Sequence, residues 1–212
     1  MDEQQRKAML KQTFDAVSSG YDGGALRFFP QSAQSMVSLL DLRGDEHALD
    51  VACGTGHASL AIARMLPNAH ATGVDFSAGM LDQARTKFTA AELIRSSLQE
   101  LDLEPAFDGV MCIDAMENVP PEDWPAVLAN LHRMLKPDGL LYLTVEEHDQ
   151  SDIDRASAEA VARGLPVVPG EILFHGSDYH FVPTRPQVTE WIATEGLAVI
   201  DEADSPGEGY SY

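Results

Sequence analysis

An α/β chain with a doubly wound, mostly parallel sheet covered by helices on both faces is what this sequence predicts. Three observations carry the prediction. Apolar runs of strand length alternate with segments of helical period along most of the chain. The runs "HALDVA", "FDGVMCIDA" and "LLYLTVEE" are nearly continuously apolar, the composition of strands buried on both faces of a parallel sheet. The first of them runs into a glycine turn and then a helix, in "LDVACGTGHASLAIA", residues 49–63. Right-handed crossovers then bring the strand C-terminal ends to one edge, where ligands bind in such sheets.

Taken in order, Met9, Leu10, Phe14 and Val17 recur at helical spacing within residues 3–19, and "GYDGG" breaks that helix. "QSAQSMVSLLDL" reads as a second helix ending near Arg43 and Gly44. Residues 1–43 are therefore expected to form an N-terminal helical lid. Residues 45–146 form the sheet-and-helix core. Its strands are "HALDVA", "HATGVDFS", "AELIRSS", "FDGVMCIDA" and "LLYLTVEE". Its helices are "ASLAIARMLP", "SAGMLDQARTKFTA" with Ser77 as N-cap, and "PEDWPAVLANLHRMLKPDG". The last carries Lys136 near its end, with Pro137 and Gly139 as stop signals.

Residues 148–183 break the β-α rhythm. They hold one helical patch, Ile153 to Ala162, followed by aromatics mixed with histidines, and read as a cap over the strand ends. Residues 184–212 supply a helix, "PQVTEWIATEG", and a strand, "LAVIDEAD". The whole is one domain, in keeping with a length of 212 residues.

The balance of 14 basic against 34 acidic residues gives a net charge of −20, which repels phosphate backbones and anionic membranes and argues against a nucleic-acid partner. No run reaches the roughly 18 apolar residues of a membrane helix. The N-terminal "MDEQQRKAMLKQTF" lacks the apolar core of a secretory signal, so a cytoplasmic protein is expected. Cys53 and Cys112 form no C-x-x-C pair and sit in apolar runs, which points to buried reduced thiols and away from structural zinc.

The glycine loop carries the chemistry. Asp50 precedes Gly54 and Gly56 in the pattern D-x-x-x-G-x-G. Glycine serves where the backbone turns sharply and where a Cβ would collide with a ligand. A phosphate-binding P-loop needs a Gly-Lys-Ser/Thr ending, which is absent. The nicotinamide fingerprint G-x-G-x-x-G is incomplete, because Ser59 stands at its third glycine. Asp75 ends the second strand, where a carboxylate accepts both hydroxyls of a ribose. Asp50 suits a cationic amino-acid head better than a pyrophosphate.

With these pieces in place the sequence resembles the class I S-adenosylmethionine-dependent methyltransferases, which have a Rossmann-like fold. The matching stretches are "LDVACGTGHASLAIA", "ATGVDFSAGMLDQA", "FDGVMCIDAMENVP" and "LHRMLKPDGLLYLTV", in the family's order and spacing, over about residues 45–146. The opening "FDAVSSGYD" is similar to the quinone-biosynthesis C-methyltransferases and related small-molecule enzymes. The resemblance implies S-adenosylmethionine as cofactor, S-adenosylhomocysteine as product and a small-molecule acceptor with an O, N or C nucleophile. It places Asp50, Ala52, Gly54 and Gly56 along the methionine moiety and Asp75 on the ribose. Phe76, Met80, Ser97 and Leu98 fall around the adenine, Ile113 lies beside the sulfonium, and Tyr21 covers the cofactor from the lid. Relatives often carry an acid where this chain has Ser97 and a histidine where it has Asn118.

In-line methyl transfer asks the protein to align the reactants and exclude water, and asks for a base only if the nucleophile arrives protonated. His148 and Tyr21 are the candidates for moving a proton. Phe28, Phe29, Glu117, Asn118, His148, His175, Tyr179 and His180 are the candidates for the acceptor pocket. Phe28 and Phe29 read equally as a hydrophobic staple, and His148 as a loop histidine. His175, Asp178 and His180 imitate a metal-ligand spacing, but no metal is assigned to the chain. Two further readings stand beside the enzyme: a non-catalytic S-adenosylmethionine-binding module and a nicotinamide oxidoreductase. The family's terminal hairpin inserts its last strand beside strand five. Here "SPGEGYSY" leaves only a stub of it, so a shortened C-terminus or a partner chain, such as a second copy in a homodimer, is expected to fill that gap.

Overall fold

A computed structural model describes residues 3–23, 36, 39–66, 68–87, 92–146, 148, 150–164, 167–174 and 178–202. The elements are α1 (Glu3–Val17), a 3₁₀ turn (Tyr21–Gly23), β1 (His47–Val51), α2 (His57–Met65), β2 (His70–Asp75), α3 (Ala78–Lys87) and β3 (Glu92–Arg95). There follow β4 (Phe107–Cys112), a second 3₁₀ turn (Met116–Asn118), α4 (Trp124–Met134), β5 (Leu135–Leu143), α5 (Gln150–Ala162), β6 (Glu171–Phe174), β7 (Asp178–Phe181) and α6 (Arg185–Thr194).

The five-stranded sheet runs β3-β2-β1-β4-β5 with every neighbouring pair parallel. Strand order reverses at β1, so the crevice outside its carboxyl end is the switch point at which such sheets bind ligands. Side chains alternate across the sheet. Leu49 and Val51 of β1 and Val110 and Cys112 of β4 join one core with Leu128, Leu131 and Met134 of α4. Ala48 and Met111 face the other core, with Ala58 and Ile62 of α2 and with Met36, Leu40 and Leu42. The helix expected over "QSAQSMVSLLDL" falls largely outside the described residues.

Helix α4 buries Trp124, Val127, Leu128, Leu131 and Met134, one stripe at helical spacing, and carries a proline in its first turn. It ends earlier than the sequence suggests. Leu135 has already left the helix (φ −71°, ψ 142°), because Pro137 ahead of it forbids helical continuation. Leu135 instead opens β5 opposite Phe107, and the next pair is Gly109 with Leu140, so "KPDG" bulges out of the ladder.

Two corrections concern the C-terminal third. "EILF" and "DYHF" form an antiparallel hairpin, β6–β7, which the sequence reading left without strands. Gly170 makes its closure: φ is +87°, and a Cβ there would lie 2.6 Å from the Val182 carbonyl oxygen. Residues 197–202, expected as a strand, have no strand pairing. Among the described residues nothing pairs with the outer edge of β5, this segment included. Leu197 instead donates its N–H to the Ile192 carbonyl at 3.0 Å, and Ile200 stays 78% exposed.

Helix α1 packs on α3 and β7. Its buried Arg6 pairs with Glu122 and, at 2.9 Å, with Glu171, and its guanidinium lies 5.6 Å from the centre of the Tyr179 ring. The Tyr179 hydroxyl donates to the same Glu171 at 2.9 Å. Both cysteines are buried and free, as expected. Among the described residues no helix is long and apolar enough to cross a membrane.

Leu128 is fully buried between α4 and the sheet. Leu128→Ala is expected to lower stability by about 2–5 kcal/mol, read as a lower denaturant midpoint at unchanged slope.

Candidate functional site

A cavity of about 380 Å³ opens at the carboxyl edge of the sheet. Its walls come from four strand ends: Asp50, Ala52, Cys53, Gly54, Thr55, His57 and Ala58 at β1, Asp75 and Phe76 at β2, Ser96 to Glu100 after β3, and Ile113 to Ala115 with Asn118 and Val119 after β4. Helix α1 closes the remaining side with Lys7, Leu10, Lys11 and Phe14, and Tyr21 follows from the 3₁₀ turn.

The loop between β1 and α2 is built from left-handed residues, Ala52 (φ 55°), Gly54 (φ 52°) and Gly56 (φ 85°), the first a rare position for a side-chain-bearing residue. Cys53 extends the parallel ladder by donating its N–H to Val74 at 2.9 Å, which leaves the Gly54 amide without a ladder partner. Asp75 supplies one. Its Oδ2 accepts from the Gly54 N–H at 2.9 Å and its Oδ1 from the Ser77 N–H at 2.8 Å. Each oxygen accepts one backbone bond and keeps lone-pair capacity on the cavity side. Asp50 is held by Ser59, whose N–H and Oγ–H both donate to Oδ2, at 3.0 and 2.5 Å. Burial pushes both carboxyls up to about 6, against the pull of these hydrogen bonds.

The glycine loop is tied to the N-terminal segment. Asp22 accepts from Thr55 Oγ1 at 2.6 Å, meets His57 Nε2 at 2.9 Å and pairs with Lys87. Burial works against its charge, but the Lys87, Thr55 and His57 bonds outweigh it and hold the carboxyl at about 2. Asp15 of α1 accepts from Ser77 Oγ at 2.6 Å and from the Gly79 N–H at 3.2 Å. Two buried polar atoms of cavity-lining residues have no hydrogen-bond partner, Ser97 Oγ and Asn118 Oδ1. A buried orphan on a cavity wall is the mark of a place for a polar ligand.

Residues 48–139 match the family described as a methyltransferase domain. The demethylmenaquinone methyltransferase of Listeria monocytogenes is 31% identical over 147 residues, covering 64% of this chain and 61% of that protein. That of Symbiobacterium thermophilum is 33% identical over 150 residues, covering 64% and 58%. The chain thus spans about three fifths of the length of these curated relatives. Among solved structures, the Burkholderia thailandensis 1,6-didemethyltoxoflavin-N1-methyltransferase, with bound 1,6-didemethyltoxoflavin and S-adenosylhomocysteine, superposes with a TM-score of 0.67 at 19% identity, covering 92% of this chain and 79% of that one. An amino pentose methyltransferase from Micromonospora echinaspora gives 0.62 at 18%, covering 85% and 88%. Residues 48–139 are thus similar to a methyltransferase domain, and the fold is the one these solved methyltransferases share.

In this chain the cavity gathers Tyr21, Asp50, Ala52, Gly54, Asp75, Phe76, Met80, Ser97, Leu98 and Ile113 from the expected cofactor set. Gly56 is not among the lining residues; it is the left-handed N-cap of α2. Of the expected acceptor residues, Asn118 lines the cavity and Glu117 is buried just behind it, where burial pushes its carboxyl up to about 8. Tyr179 is 2% exposed and packs into the core, so it does not face the cavity. Phe28, Phe29 and His175 lie outside the described residues.

His148 and His180 meet elsewhere, at the end of β5. Glu146 bridges them: His148 Nε2 lies 2.9 Å from Oε1 and His180 Nδ1 2.7 Å from Oε2. Burial opposes the Glu146 charge, but the two imidazoles outweigh it and hold the carboxyl below its ordinary range. Sequence reasoning missed several functional side chains. Ser59, noted only as a missing glycine, holds Asp50. Asp22, Asp15 and Arg6 act on partners far along the chain, which no local pattern announces.

The raised carboxyls set a pH dependence. Asp50 and Asp75 titrate near 6 when folded and near 4 when unfolded, so the stability they confer is full below about pH 4 and is lost as pH rises through 6. Denaturant midpoints are expected to rise from pH 7.5 to pH 5.5, and Asp50→Asn is expected to flatten that slope.

Proposed function

We propose that this chain transfers a methyl group from S-adenosylmethionine to a small-molecule acceptor, leaving S-adenosylhomocysteine. The observation that carries this reading is Asp75. Its two oxygens are fixed by the Gly54 and Ser77 amides and turn their remaining capacity to the cavity, the arrangement that a ribose diol requires. Phe76, Met80 and Leu98 would flank the adenine, and the orphan Ser97 Oγ would meet its polar edge. Asp50, Ala52 and Gly54 would hold the amino-acid end. Ile113 would stand beside the sulfonium, and Tyr21 would cover the cofactor.

When bound, the cofactor supplies a carbon already activated by its sulfonium. The chain aligns the acceptor with it and keeps water out, using α1, the 3₁₀ turn and the strand ends as walls. Of the two residues considered for a proton, Tyr21 is read as cover, and His148 as part of the acceptor side together with Glu146 and His180. Asn118 and Glu117 belong to the same side, and Phe28, Phe29 and His175 complete the proposed acceptor set. The similar proteins are named for a demethylmenaquinone, a didemethyltoxoflavin and an amino pentose, all small molecules, which supports that acceptor class. The charge of −20 supports the absence of nucleic-acid and membrane partners, and the free cysteines support a cytoplasmic location. The β5 edge, unpaired among the described residues, supports a homodimer as the remaining partnership, which light scattering would test.

The test is calorimetric titration with S-adenosylmethionine, S-adenosylhomocysteine and NADH, followed by an acceptor screen that reads S-adenosylhomocysteine formation. Both sulfur ligands are expected to bind and NADH is not; the reverse would overturn the reading. Asp75→Ala is expected to weaken cofactor binding by about 1–3 kcal/mol and Ser97→Ala by about 0.5–1.5 kcal/mol. Gly54→Val forces a branched side chain into a left-handed position and points it into the cavity, 3.9 Å from the Tyr21 ring. Binding should be lost in that variant while circular dichroism stays native.

A further inference from the structure

We infer that Glu146, His148 and His180 form a binding site for one divalent transition-metal ion, of the zinc and cobalt class. Ligand atoms, one from each residue, lie within 4.8 Å of one another: a carboxylate oxygen and two imidazole nitrogens. Two imidazoles and one carboxylate are a donor set that suits zinc, cobalt, nickel or iron(II) rather than magnesium or calcium. Three protein ligands leave a further coordination position open, as at zinc sites that take water or a substrate.

The ligands sit on anchored backbone. Glu146 and His148 follow β5 directly, and His180 lies in the middle of β7. That strand is fixed by its ladder to β6 and, at the neighbouring residue, by the bond from Tyr179 to Glu171 under Arg6. His180 is 6% exposed at its side chain, while His148 and Glu146 are 19% and 25% exposed, so the group is buried on one side and open to an entering ion on the other.

The surroundings favour a cation. Asp114, Glu117 and Glu146 act on one another electrostatically, and the His148 and His180 imidazoles meet the Glu146 carboxylate. An ion would replace both imidazole–carboxylate bonds with coordination bonds and offset the neighbouring carboxyls at once. Asp114 also lines the cavity, which places the group against the acceptor side. Binding does not depend on the methyl-transfer reading, and either can fail alone.

The test uses the full chain, dialysed against chelator and then into metal-free buffer, without cofactor. Zinc chloride is added in a calorimeter and cobalt chloride in a spectrophotometer. One equivalent is expected to bind at micromolar concentration or below, with visible cobalt bands of low-symmetry coordination and a higher melting temperature. Glu146→Gln, His148→Asn and His180→Asn should each weaken binding at least as much as the roughly 10–100-fold that loss of an outer partner costs. His70→Ala, on the opposite edge of the sheet, should bind as the unaltered chain does. If His180→Asn fails to fold, the partly exposed His148→Asn and Glu146→Gln decide the matter. Absence of stoichiometric binding, or binding undiminished in these variants, would overturn the site and leave a hydrogen-bonded His–Glu–His cluster.

Discussion

The bond from the Gly54 amide to Asp75 is the constraint on which the site depends. Where β1 ends, the chain must leave the ladder, turn through three left-handed residues and enter α2. One buried amide is then without a partner, and an unpaired buried N–H costs as much as a lost hydrogen bond. Asp75 resolves this from the neighbouring strand, and the same carboxylate pins the first residues before α3 through Ser77. Two turns at two strand ends are thereby fixed relative to each other by one side chain. The solution costs desolvation of a charge, visible in the upward displacement of its titration, and Asp50 beside it repeats the cost with Ser59 as its holder. Both carboxylates hold the loops that shape the cavity, and two buried carboxylates on one cavity wall are also the pattern of a ligand site.

The N-terminal segment is fastened by a different kind of force. Arg6, Asp15 and Asp22 tie α1 and its following turn to the hairpin, to the start of α3 and to the glycine loop, respectively. Each tie is a charged or charge-assisted contact. Such contacts are directional and modest in net worth when partly exposed, so they position a segment without sealing it as apolar burial would. Leu10, buried in the core with Met9 and Phe14 packed against it, adds apolar contact to these ties, so the cavity and the hairpin are both attached to the same helix.

Legibility in the sequence follows from how local each cause is. The strands β1 and β4 are legible because both their faces are buried, and the glycine loop with Asp75 because their spacing is a property of one β-α-β unit. The hairpin was not readable: its strands are four residues each, and the polar His180 within β7 is satisfied by Glu146 from another element. Residues 197–202 have strand composition, but a strand needs a neighbour as well as a composition, and β5 offers its edge unoccupied among the described residues. The early end of α4 shows Pro137 acting at a distance, since its ring excludes helix from the residues before it. Ser59 looked like a departure from one fingerprint because its role, holding Asp50, exists only once β1 and α2 are packed.

The acceptor side follows from the same electrostatics. Methyl transfer from a sulfonium to a neutral nitrogen conserves the positive charge, moving it a short distance, whereas transfer to an oxyanion extinguishes it. A wall that carries Asp114 and, behind it, Glu146 stabilises positive charge before and after transfer to nitrogen, but repels an anionic acceptor on approach. For the proposed transfer, such a wall suits neutral or cationic acceptors. A divalent ion on Glu146, His148 and His180 would offset that charge and ease the approach of an oxyanion, so the charge at that one group would bear on the choice of nucleophile alongside the shape of the cavity.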